Sequence, residues 1–193
     1  MRNDDVFLQL YLIRHAESMG NIETDKIFDA VNPPLTYHGE IQAQALAERM
    51  SSVKLDAVYS SPLERAISTA MPTVNACNTK VFFEPLLCEK DVCVTEKGFG
   101  IYNESDSECE ARANRFLNML FERHSNCAVA AVSHGEFTQF LIRAALNIND
   151  IKFCVYNTSV TKINFRKGKP NKLAFQNDIS HLISVDGDKT EWM

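Results

Sequence analysis

A chain of 193 residues is long enough to bury one sizeable core, and 45% hydrophobic residues is ordinary for a globular protein. The net charge of −5 leaves no general basic surface, so no nucleic-acid partner is expected, and no apolar run approaches the ~20 residues that span a bilayer. The apolar stretch 6–13 follows Asp4 and Asp5, the wrong flank for a secretion signal, so a soluble cytoplasmic protein is expected.

One domain over residues 1–193 is expected, with its core over about 7–182 and a loose polar tail over 186–193. The six cysteines include no C-x-x-C pair, and a chain of this length needs no staples; reduced structural thiols are expected, with Cys127 and Cys154 in apolar strand contexts.

In chain order, residues 7–13 read as a buried strand that ends on Arg14 and His15, a cation and an imidazole at its carboxyl tip. A long loop over 18–36 holds Pro33 and Pro34, and 37–51 is an amphipathic helix with Thr36 as its N-cap. A short strand over 56–60 is followed by Ser61 and Pro62, a hydroxyl and a proline suited to N-cap and N1, which puts Arg65 in the first turn of a helix over 63–77. Pro72 should kink or interrupt that helix. Residues 80–83 are a strand, 84–106 an irregular segment and 107–124 a helix. An apolar strand over 128–133 ends at His134, with Gly135 starting the next helix, which runs on over 137–146. Strands over 155–165 and 172–175 close a hairpin around Lys167 and Pro170. Alternating strands and helices predict a three-layer α/β/α fold with a mostly parallel sheet. In such sheets ligands bind outside the carboxyl ends of the strands, where Arg14, His15, Arg65 and His134 would converge.

These residues give the chain a resemblance to a known family. Leu12-Ile-Arg-His-Ala-Glu-Ser-Met-Gly-Asn21, Pro34-Leu-Thr36 with Gly39, Tyr59-Ser-Ser-Pro-Leu-Glu-Arg65-Ala, Glu89, Glu104-Ser105, Val132-Ser-His-Gly135 and Asn177 to Leu182 occur in order. The series resembles the histidine phosphatase superfamily, phosphoglycerate-mutase-like branch, over roughly residues 7–182.

The resemblance implies that His15 is the nucleophile that becomes phosphohistidine. Arg14 and Arg65 would grip the phosphoryl oxygens, His134 would donate to them, and Asn21 would add an amide donor. The Gly135 backbone orients His15 or simply makes the tight turn. Glu89 matches the general acid, with Glu84, Asp91 and Glu96 as nearby alternative carboxylates; the family's Trp-Glu-Gly continuation is replaced by Asp91-Val92-Cys93-Val94. Glu17 is expected to make a structural hydrogen bond, His38 to be a solvated cap, His124 to end a helix and His181 to pack. No metal is expected, because arginines beside His15 and His134 repel a divalent cation, and no cofactor is needed.

Mutases of the family carry a long helical insertion after the acid that keeps water out. Here only residues 90–106 separate Glu89 from the next helix, so a phosphohistidine would meet water. The expected function is hydrolysis of phosphomonoesters; a 2,3-bisphosphoglycerate-dependent phosphoglycerate mutase and a non-catalytic phosphate-binding module are the alternatives. The substrate would be a small phosphorylated metabolite or a phosphoprotein. Residues 22–31 and 94–102 would cover the pocket, with Phe28, Lys97, Phe99 and Tyr102 as specificity candidates.

Overall fold

The computed structural model describes residues 5–22 and 31–186. Six strands form one sheet, and its centre is the apolar run that opens the chain. Strand β1 (Val6–Arg14) pairs in parallel with β6 (Cys127–Ser133), which pairs with β2 (Ala57–Ser60), which pairs with the edge strand β3 (Lys80–Phe83). On its other side β1 is antiparallel to β7 (Val160–Arg166), which is antiparallel to β8 (Lys172–Asp178).

The period-2 alternation of β1 sends Leu8, Leu10 and Leu12 to one core and Tyr11 and Ile13 to another. The first core is closed by helices α3 (Asp106–Arg123) and α4 (Gly135–Leu146), through Phe116, Leu120, Phe137 and Leu141. The second is closed by α1 (Tyr37–Met50) and α2 (Glu64–Cys77), through Leu46, Met50, Ala66 and Ala70. Each face of the sheet thus buries its own apolar stripe, which gives the expected three layers.

Four local expectations need correction. Helix α2 begins at Glu64 with Leu63 at the cap position and no side-chain cap, so Ser61 does not cap it, although Arg65 still sits in the first turn. The helix runs on through Pro72; Thr69, Ala70, Thr73 and Val74 around the proline are buried, and their packing outweighs one lost backbone hydrogen bond.

Within the stretch expected to be irregular lie a 3₁₀ turn (Pro85–Leu87) and a hairpin of β4 (Val92–Thr95) and β5 (Gly98–Ile101), with Gly98 at φ 115°. Finally, β7 starts at Val160, not 155, and Cys154 is exposed ahead of it. The preceding residues are diverted to the end of β1: the Thr158 amide donates to the Arg14 carbonyl at 3.1 Å, with Thr158 held at φ 54°. A short helix, α5 (Ile183–Asp186), ends the described chain, and the expected loose tail beyond it lies outside the described residues.

Among the described residues no helix is long and apolar enough to cross a membrane, and no group of three or more His, Cys, Asp or Glu is placed to hold a metal ion.

Candidate active site

Strand register brings the chemistry together. Arg14 is paired with Ser133, and the His15 amide donates to the Ser133 carbonyl at 2.9 Å, so His15 and His134 leave neighbouring strands at the same level. Their ring centroids lie 5.1 Å apart. On the other side of β6, the Ser61 amide donates to the Val132 carbonyl at 2.9 Å and carries the chain into α2 and Arg65.

A cavity of about 160 Å³ opens at this end of the sheet, lined by Arg14, His15, Asn21, Arg65 and Glu89 among others. His134 does not line it; the residue is fully buried behind the ring of His15 that does.

The Nδ1–H of His15 donates to its neighbour's carbonyl, Ala16 O, at 2.7 Å. The residue is 4% exposed, and burial together with the charges of Arg65 and Arg14 holds its pKa well below the ordinary histidine value. A neutral ring with its proton on Nδ1 leaves Nε2 with an unshared lone pair. The Ala16 amide in turn donates to Thr69 Oγ1 at 2.9 Å, and that hydroxyl donates to the Arg65 carbonyl at 2.6 Å, tying the His15 loop to the first turn of α2.

The Asn157 side chain donates to the His15 carbonyl at 2.9 Å from the far side. Sequence reasoning overlooked Thr69 and Asn157; each acts from a distant segment, and only the fold reveals them.

Both arginines are anchored by backbone oxygens: Arg14 Nη1 donates to Val155 O at 2.7 Å and Arg65 Nη1 to Val31 O at 3.1 Å. Burial lowers both guanidinium pKa values and the Glu89 charge opposes it; both remain cationic. Arg14 Nε is buried with no partner among the described residues.

Gly135 stands where a β-carbon would come within 3.3 Å of the Arg14 guanidinium. The missing side chain leaves room for that guanidinium, and the His15 ring is held by the Ala16 carbonyl. Asn21 accepts from the Ser18 amide at 3.0 Å and the Ser18 hydroxyl at 3.1 Å through Oδ1, which leaves its amide end to meet an anion.

Glu89 sits at the amino end of α4, its Oε1 accepting from the amides of Lys90 at 3.0 Å and Phe137 at 2.9 Å. Burial raises its pKa, against those amides and the Arg65 charge. Two neighbouring carboxylates are engaged elsewhere, Glu84 capping the 3₁₀ turn and Asp91 accepting from the Glu104 amide at 2.7 Å, and Glu96 is exposed between β4 and β5.

Behind Glu89 lies an arginine that sequence reasoning also missed. Arg112 donates to both carboxylate oxygens of Glu104, at 2.8 and 2.6 Å, and to the carbonyls of Leu86 and Cys88, at 2.9 and 2.7 Å. Its guanidinium lies 3.6 Å from the Phe137 ring centroid. Burial would raise Glu104, but Arg112 outweighs it and brings the carboxyl to about 2.

The remaining candidates fall outside the cavity. Glu17 accepts from the Thr36 hydroxyl at 2.6 Å, and Thr36 Oγ1 caps α1 by accepting from Gly39. His38 is half-buried beside Gln42, His124 meets the Tyr59 hydroxyl at 3.0 Å, and His181 is half-buried between Arg49 and Thr158. Lys97, Phe99 and Tyr102 do not line the cavity. Phe28 and most of the expected cover over 22–31 lie outside the described residues.

Comparison with known proteins agrees with this geometry. The family model for the histidine phosphatase superfamily (branch 1) matches residues 10–99 and 95–178. A probable phosphatase from Schizosaccharomyces pombe is 32% identical over 75% of this chain, which spans only 58% of that relative's length. A probable phosphoglycerate mutase from Proteus mirabilis is 39% identical over 95% of this chain and 99% of its own. A phosphoserine phosphatase from Entamoeba histolytica, solved with phosphoserine, superposes with a TM-score of 0.72 at 23% identity, covering 91% of this chain and 99% of that one, and it speaks for the fold. The chain belongs to the histidine phosphatase superfamily, branch 1.

Proposed function

We propose that this chain, acting as a single catalytic domain in the cytoplasm, hydrolyses phosphomonoesters through a phosphohistidine on His15. The observation that carries the reading is the setting of that ring: pinned through Nδ1–H to Ala16 and lining one cavity with the guanidinium groups of Arg14 and Arg65, whose charges, with burial, lower its pKa.

A phosphoryl dianion seated on Arg14 and Arg65 presents phosphorus to the bare Nε2. The nitrogen lone pair forms the N–P bond as the bond to the leaving alkoxide breaks, and Glu89, whose pKa burial raises, transfers its proton to that alkoxide from its protonated form. Water then attacks the phosphohistidine; the Glu89 carboxylate takes its proton, inorganic phosphate leaves and the His15 lone pair is restored. Asn21 and His134 supply donors to the phosphoryl oxygens throughout.

Hydrolysis is favoured over phosphoryl return because the segment after Glu89 is a four-residue-strand hairpin, β4 and β5, with no helical cover among the described residues. The polar cavity suits a small phosphorylated metabolite, in keeping with the phosphoserine held by the Entamoeba neighbour; a phosphoprotein is the larger alternative.

A turnover screen over phosphorylated metabolites and phosphopeptides, with His15→Ala as control, tests the reading. Phosphate release that the variant abolishes supports it. 2,3-Bisphosphoglycerate-dependent exchange between the monophosphoglycerates, without phosphate release, would favour the mutase reading suggested by the Proteus relative. Binding without any turnover would favour a phosphate-binding module.

A further inference from the structure

His134 poses an accounting problem that Ser61 solves. The ring is completely buried, its Nε2 lies 2.9 Å from Ser61 Oγ, and its Nδ1 has no partner among the described residues. A buried polar atom left unpaired costs about 1–3 kcal/mol, so it persists where something else satisfies it. Burial and the charges of His15, Arg65 and Arg14 keep the ring neutral, so it carries one proton, on one nitrogen or the other.

The hydroxyl of Ser61 decides which. Its oxygen already accepts from the Leu63 amide at 3.3 Å, and its single proton has two places to go. One is the His134 nitrogen at 2.9 Å; the other is the Cys88 sulfur at 3.9 Å, a longer contact to a weaker acceptor. Donation to nitrogen wins. Nε2 is then the acceptor and the ring proton sits on Nδ1. The opposite tautomer would leave a bare, buried lone pair beside a phosphoryl group that offers only acceptors.

We propose that Ser61 is a positioning residue for the phosphoryl-transfer site: its hydroxyl donates to His134 Nε2 and so commits Nδ1–H to a phosphoryl oxygen held over His15. The proposal rests on the phosphohistidine reading for its consequence in catalysis, but the tautomer is measurable without turnover. Like the buried Arg14 Nε, the unpartnered Nδ1 is a donor that an anion would satisfy.

The test is ¹⁵N NMR of the histidine-labelled protein, with the His134 signals among the five histidines assigned by their loss in His134→Gln. A protonated Nδ1 and an unprotonated Nε2 are expected. A protonated Nε2 in the wild-type protein would overturn the proposal, and the tautomer itself is read on the wild-type protein.

In Ser61→Ala the tautomer should lose its fixed state and kcat should fall about 100-fold, the order seen when one preorganised donor is lost, with little change in KM. Ser61→Thr, which keeps the hydroxyl, should restore both. A Ser61→Ala protein that keeps the Nδ1–H tautomer and full kcat would also overturn it. If instead His15→Ala retains turnover, the phosphohistidine reading fails while the tautomer result stands.

Discussion

The guanidinium of Arg14 lies against Gly135, close enough that a β-carbon there would stand 3.3 Å from both Cζ and Nε. A contact that tight obliges the neighbour to give, and Arg14 has little room to do so, since Nη1 is fixed on Val155 O at 2.7 Å. Gly135→Ala should therefore leave the fold intact and displace the phosphate grip. Steady-state kinetics should show kcat/KM lowered by less than the about 100-fold that a full ångström of misplacement costs, since a few tenths of an ångström relieve the contact. Unchanged kinetics would mean that Arg14 does not hold the reacting group.

Arg112 and Glu104 form a buried ion pair, with side chains 7% and 1% exposed. Arg112→Ala strands a carboxylate in the core and should cost about 3–5 kcal/mol in denaturant unfolding. Replacing both partners with apolar residues of similar volume, Arg112→Met with Glu104→Leu, should recover much of that loss. Activity should stay low in the double variant, because the carbonyls of Leu86 and Cys88 still lack the donor that fixes the backbone leading to Glu89.

As the proposed general acid, Glu89 would have to be protonated to release an alkoxide, and burial raises its pKa. Rates on alkyl phosphates should therefore fall as pH rises through a value above the ordinary carboxylate range. Glu89→Gln should remove that limb and lower kcat by about 10²–10⁴-fold on alkyl esters. On p-nitrophenyl phosphate, whose leaving group needs no proton, the loss should be far smaller. Equal losses on both substrates would assign Glu89 another role.

Burial lowers the pKa of four histidines in the folded protein, His124 among them. His15 and His134 lie well below their ordinary value through burial first, and His181 is brought to about 4 by burial and the Arg49 charge. The unfolded chain binds protons at these rings near pH ~6.5, the folded chain only lower. Stability is therefore complete above that value and lost as pH falls below it, down through the folded pKa values. Urea midpoints compared at pH 8 and 5 should show the drop, and saturating phosphate, which binds only the folded site, should raise the midpoint. A midpoint that is flat over this range would contradict the buried-neutral state.

What the sequence made legible was whatever chemistry sits at strand ends. Arg14, His15 and His134 follow apolar β runs, so the strand pattern alone brings them to one edge, and Arg65 follows from the helix start. The supporting layer was not legible, because Thr69, Arg112 and Asn157 reach the site from distant segments and carry no local signature of doing so. Ser61 was read as a helix cap on the strength of the proline after it; its hydroxyl instead meets His134 across 73 residues of sequence. The β4–β5 hairpin escaped because its two-residue connection, Glu96-Lys97, lacks the Asn-Gly type of turn signal, although the run Val92 to Thr95 had strand character.

Catalysis as proposed requires one ring nitrogen of His15 to carry the phosphoryl group in every turnover. Rapid-quench labelling with a ³²P-donor, followed by mapping of the modified peptide, tests it directly. Acid-labile, base-stable label is expected on His15, forming and decaying at rates compatible with kcat and absent in His15→Ala. Steady turnover with no label on His15 would contradict it.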